Sequence, residues 1–245
     1  EMLRGEDPAG LESRATDLGL DLEFAQLIHS IPDSRVAYDD VRRLVDARYE
    51  KISQELEVSR LEYENVWAPL IGQFSDVVTA ETGHCWFHST QRTSYTDVIS
   101  AFHRGISDWY GNTVATKYDL SPELKRRITA HELVLSHIFH IMRKYHPRSE
   151  LSDWQAWAVS EITTVWILDD PRLRTYWPSF QAGDYFAKSN YPQLSQLEQE
   201  LAPVFKRRAT FKTYIAEAIF RVKKVKQQVL LNHQLNQAVL PNSEK

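Results

Sequence analysis

The sequence predicts an all-α fold, a multi-helix bundle with long amphipathic first and last helices. Three observations lead there. Only eight glycines occur in 245 residues, none between Asn112 and Ala182, and long glycine-free runs favour helices over turn-rich β architecture. Prolines stand where helices would begin or end, at Pro32, Pro122, Pro147, Pro171, Pro192 and Pro203. Apolar residues recur every three to four positions along most of the chain, and no segment carries a convincing strand pattern.

Taken in order, residues 1–33 are polar, rich in glycine, and hold one apolar cluster from Leu18 to Ile28; they read as a flexible arm. From about residue 33 to 67 the set Val41, Val45, Ile52, Leu56, Tyr63 and Val66 marks one long amphipathic helix. Pro69 kinks it or starts a second segment, with Ile71, Phe74 and Val78 inward. Residues 83–94 form a connector. Residues 96–110 read as helical, with Val98, Ile99, Phe102, Ile106 and Trp109 on one face. Ser121-Pro122-Glu123 places an N-cap hydroxyl before a proline at the first helical position, opening a helix over 121–146. Ser152-Asp153 opens the next, over 152–169, and a short helix follows to Trp177. An aromatic loop over 176–191 leads to a helix over 192–202, which Pro203 interrupts. The last helix runs to about Gln237 with Phe211, Ile215, Ala218, Val222, Val225 and Val229 inward. The domain reading is an arm over 1–33, a single helical domain over 34–237 and a disordered tail over 238–245.

Composition narrows the class. At 42% hydrophobic and 25% charged the chain is ordinary globular material. A single cysteine, Cys85, rules out an internal disulfide framework and fits a reducing, cytoplasmic setting. No stretch approaches the ~18 apolar residues of a membrane span, and no leader pattern is visible. The start on Glu1 points to a piece of a longer protein, whose membrane contact would come only through segments outside this chain. Net charge is −4, unevenly spread. Residues 1–66 hold sixteen acidic and eight basic side chains, whereas residues 203–230 hold eight basic ones and only Glu217. Either the two ends neutralise each other or a basic face awaits an acidic partner.

The pair of helices over 121–146 and 152–169 puts ionisable groups on faces that should be buried. Arg127 and His131 are four apart and share a face with Leu135 and Ile138, while Glu161 sits within the stripe of Trp154, Trp157, Val165 and Leu168. A buried charge without a partner costs several kcal/mol. Arg127, His131 and Glu161 are therefore expected to form a buried polar clamp that sets the register of the two helices.

Two resemblances bear on function. Residues 131–186, with Glu132, Trp154-x-x-Trp157 and Asp170-Pro171-x-x-Arg174-x-x-Trp177, resemble a family of uncharacterised bacterial helical proteins. Its members are often tethered by N-terminal membrane helices. This resemblance implies a helical domain hung from a membrane segment upstream, and no known activity. Arg126 and His131, with four residues between them, resemble the Arg-x4-His motif of HEPN ribonucleases, which cleave RNA without metal. That implies a phosphate-holding arginine and a proton-moving histidine. The pattern departs from the family in carrying Arg127 where a small polar residue is usual, and in starting a full turn inside its helix.

Metal ligation is not expected. His137-x-x-His140 has helical ligand spacing, and Glu81 with His84-Cys85-x-x-His88 supplies ligand types, yet no second cluster closes either site. No cofactor is expected either. The aromatic and cationic residues Trp166, Arg172, Arg174 and Trp177, with the basic run Arg221, Lys223, Lys224 and Lys226, are of the types that anchor interfaces. The sequence thus points to a non-enzymatic interaction, sensor or assembly module, the soluble part of a larger system, bound to another protein chain or to itself. The alternative is a HEPN-like ribonuclease acting on RNA through Arg126 and His131.

Overall fold

A computed structural model describes residues 35–85, 95–101, 105–107, 113–188 and 192–225, with residues 22, 25, 26 and 29. The tail over 238–245, the end of the expected last helix and Lys226 lie outside the described residues, as does the arm over 1–33 apart from those four positions. The protein is mostly helical, with 72% of interpretable residues in helices. Among the described residues no helix is long and apolar enough to cross a membrane.

The expected single helix over 33–67 is two: α1, Arg35–Lys51, and α2, Ser53–Trp67. They break at Ile52, whose backbone leaves the helical region (φ −113°, ψ 19°) to put its side chain in the core at 5% exposure. After a turn at 68–70 comes α3, Ile71–Thr82, which ends on Gly83 in the left-handed conformation that glycine adopts at least cost.

Residues 96–100 and 105–107 are strands and not part of the expected helix, so the mostly helical fold carries a small sheet. Strand β1, Thr96–Ser100, lies parallel to β3, Thr113–Lys117, and β2, Gly105–Ser107, lies antiparallel to β3 in the order β1-β3-β2. Asp97 faces Val114 in register, and Ile106 faces Ala115. The sheet packs against α2 and the following helix, α4, Pro122–Tyr145. Ser59 of α2 donates to the carbonyl of Tyr118 at 2.8 Å, fastening the end of β3.

The centre is a hairpin of α4 and α5, Asp153–Leu168. Ser121 accepts from the Leu124 amide and Pro122 occupies the first turn, so α4 starts where its capping residues dictate. Ser152 and Gln155 form a reciprocal capping box for α5. Between them the Arg143 guanidinium donates to the carbonyls of His146, Leu151 and Ser152, satisfying acceptors that the helix end and turn leave open. From Ala156 to Val165 every residue of α5 is buried. Two of its three buried hydroxyls bond back one turn, Ser160 to the Ala156 carbonyl and Thr163 to that of Val159, while the Thr164 hydroxyl makes no hydrogen bond among the described residues.

The remaining elements wrap α5. They are α6, Pro171–Arg174; α7, Ala182–Lys188; α8, Pro192–Arg207; and α9, Phe211–Val222. Pro203 does not interrupt α8, which runs through it to Arg207. The break comes at 208–210, where Thr210 and Thr213 make a second capping box and start α9. The described last helix is therefore short, twelve residues followed by a turn. The early acidic helix α2 packs on α4 and β1, whereas α9 packs on α5 and α8.

Candidate functional site

On α4, three successive inward positions meet the aromatic segment that follows α6. Arg126 donates to the Tyr176 carbonyl and lies over that residue's ring, with 5.3 Å from guanidinium carbon to centroid. One position on, the half-buried Arg127 lies 5.5 Å over Phe180. His131 stands beside Tyr185, ring centroids 5.8 Å apart. Its Nε2 is 3.2 Å from Glu161 Oε1, and the Tyr185 hydroxyl donates to that same oxygen at 3.0 Å. His131 is 8% exposed and Glu161 2%.

Desolvation alone would push the His131 imidazole towards its neutral form. The Glu161 carboxylate beside it, through charge and hydrogen bond, outweighs that, and the pKa lies above its ordinary value. Arg127 acts the other way, as a nearby like charge. The third member of the cluster besides His131 and Glu161 is Tyr185, which the sequence reading placed in a loop.

The residues proposed as partner anchors have partners within the chain. Trp177 is 0% exposed and its indole donates to the Leu168 carbonyl at 2.9 Å, closing the end of α5. It is a core residue, not a surface anchor. Trp166 is half-buried, with the Lys206 ammonium 4.8 Å over its ring, so α8 covers the outer side of α5. Arg172 bonds Asp170 and, at 3.0 Å, Glu81 of α3; Arg174 pairs with Asp169. Arg208 takes the other oxygen of Glu81. Arg221 pairs with Glu217 and Glu200, and Lys224 lies over Phe220. Lys223 is exposed.

His137 is fully buried, with Nε2 3.5 Å from the Thr82 hydroxyl. Glu81 is committed to Arg172 and Arg208, and His84 packs against Tyr145 and Phe211. Among the described residues no group of three or more His, Cys, Asp or Glu side chains could hold a metal ion.

A second constellation escaped the sequence reading. A groove of about 1090 Å³ runs between the helical pair α1–α2 and strand β1. Tyr49, Arg60, Tyr63 and Trp67 line one wall, and Tyr95 and Asp97 the other. The helical residues recur at three- to four-residue spacing, so the helices turn one face inward, while Asp97, Val98 and Ile99 of β1 all border the groove. Tyr63 and Trp67 stack with centroids 6.2 Å apart at 13°. The Trp67 indole donates to the Tyr95 hydroxyl.

At the floor, the Tyr63 hydroxyl donates to Asp97 Oδ2 and the Thr129 hydroxyl to Oδ1, the latter at 3.4 Å. Burial pushes the Asp97 carboxyl up to about 6, against the two hydroxyl bonds that favour its charge. Burial likewise raises the Tyr63 phenol, with the neighbouring Asp97 charge adding to it, and takes Tyr95 up to about 12. Near neutral pH the floor is thus a carboxylate between two neutral phenols. At the rim, Arg60 bonds Glu57 at 2.6 and 2.9 Å and also Glu64.

The signal for this site was present in Thr96-Asp97-Val98-Ile99-Ser100, a β-branched run with glycines at 105 and 111 beyond it. The same residues also satisfy a helical face, and the helical reading hid the groove.

No family model, curated protein or solved structure matches the chain.

Proposed function

We propose that the chain is a non-enzymatic helical interaction module, the part of a larger assembly that recognises another protein chain. The observation that carries this reading is the engagement of His131. Its imidazole is buried against Glu161 and Tyr185 within one protomer, with Arg126 turned to the Tyr176 carbonyl. A phosphodiester would need both side chains open to it. Tethering through a membrane segment outside this chain belongs to the same proposal and rests on the resemblance of residues 131–186.

The test is an RNA-cleavage assay on the purified full chain and on His131→Ala, with folding checked by circular dichroism. We expect no cleavage by either. Cleavage by the native chain that disappears in a folded His131→Ala overturns the reading in favour of the HEPN-like ribonuclease.

A further inference from the structure

We propose that the groove between α1–α2 and β1 is the docking site for an extended segment of a partner protein, which places a lysine or arginine side chain against Asp97. The inference deepens the interaction-module reading and rests on it.

Shape argues for a peptide. The groove holds about 1090 Å³. It is also elongated, following the helices from Tyr49 to Trp67 over a length on the order of 25 Å. One wall is β1, the terminal strand of the sheet among the described residues, which pairs with β3 on one side; strand edges commonly take up extended segments through main-chain bonds.

Charge argues for the cation. Among the described residues, Glu50, Glu57, Glu64 and Asp97 line the groove against Arg60 alone, which is already held by Glu57 and Glu64. Each Asp97 oxygen receives one hydroxyl bond, and a carboxylate oxygen has two lone pairs, so acceptor capacity remains on both. Tyr63 and Trp67 are buried and stacked on each other, so they fix the wall behind that carboxylate rather than meet the guest side chain. An acidic or purely apolar segment would meet this charge without compensation.

The experiment titrates the full chain with two acetylated seven-residue peptides, one alternating leucine and lysine, the other leucine and glutamate. The readout is the NMR resonance of the Trp67 indole N–H, assigned with Trp67→Phe. We expect the lysine peptide to shift that resonance with saturation below about 1 mM, the glutamate peptide to leave it, and the isosteric Asp97→Asn to weaken binding about tenfold or more.

Lysine-peptide binding that is equally strong in Asp97→Asn is surface attraction only and overturns the assignment, as does no binding at all. If Asp97→Asn instead dissolves a self-association seen by light scattering, the occupant is a second copy and the foreign segment is refuted. A failed titration leaves the RNA assay untouched, so the two readings fall separately.

Discussion

Tyr185 and His131 address the same atom, Glu161 Oε1, from α7 and α4 respectively. One buried carboxylate thereby joins three elements. Removing it should leave both a histidine and a phenol unpaired in the interior. We expect Glu161→Ala to lower stability by about 2 to 4 kcal/mol, read from urea unfolding. An unchanged midpoint would refute the clamp.

The same pair has a pH signature. His131 binds its proton more tightly folded than unfolded. Its contribution is therefore complete below the ordinary histidine pKa of about 6.5 and is lost as pH rises through the higher folded value. The stability gap between the native chain and Glu161→Gln should shrink as pH climbs above about 6.5. A gap that widens instead contradicts the pairing.

Asp97 runs to a different window. Its folded pKa of about 6 exceeds the ordinary 3.8, so the neutral form is favoured by folding, and stability falls as pH rises between those values. The groups facing it are Tyr63, Thr129 and Tyr95, with Glu57, Arg60 and Glu64 on the neighbouring helix. Asp97→Asn cannot ionise. Relative to the native chain it should gain about 2 to 3 kcal/mol between pH 4 and 7, measured as diverging melting curves. Parallel curves would mean that the carboxylate is well solvated.

Trp177 separates size from hydrogen bonding. Trp177→Ala should cost about 3 to 5 kcal/mol through the cavity it leaves. Trp177→Phe keeps most of the ring but strands the Leu168 carbonyl, and about 1 to 3 kcal/mol is expected. A Trp177→Phe variant as stable as the native chain would show that the indole N–H contributes nothing.

Glu81 links α3 to α6 and to the segment before α9 through two arginines of unequal exposure, 48% for Arg172 and 17% for Arg208. Screening weakens the exposed pair, and Arg172 retains Asp170. Arg208→Gln should therefore destabilise by about 1 to 2 kcal/mol and Arg172→Gln by under about 1 kcal/mol, compared by thermal melts at two salt concentrations. The reverse order would place the stronger tie at α6.

The hairpin of α4 and α5 was legible because its ends carry capping residues with fixed chemistry, Ser121-Pro122 and Ser152 with Gln155. His131 and Glu161 could be put on facing stripes because helical periodicity is geometry. The sheet was not legible: Val98, Ile99 and Ile106 satisfy a helical face and a strand equally well over so short a run. The break at Ile52 carries no glycine or proline, since tertiary burial of that side chain decides it. The internal partners of Arg221, Lys206 and Arg208 were not legible, because only the folded chain brings them near. Pro203 was read as a stop, yet α8 continues through it as an internal residue.

The enclosure of α5 on all sides carries a consequence for how the chain comes apart. Its neighbours include α4 from earlier in the sequence and α7, α8 and α9 from later, so no contiguous stretch can shelter it alone. A product truncated ahead of residue 192 would hold a greasy cylinder with half its casing missing, and it should be captured by chaperones rather than persist as a smaller native fragment. Denaturation of this region should accordingly be all-or-none, with both ends of the casing lost in a single step.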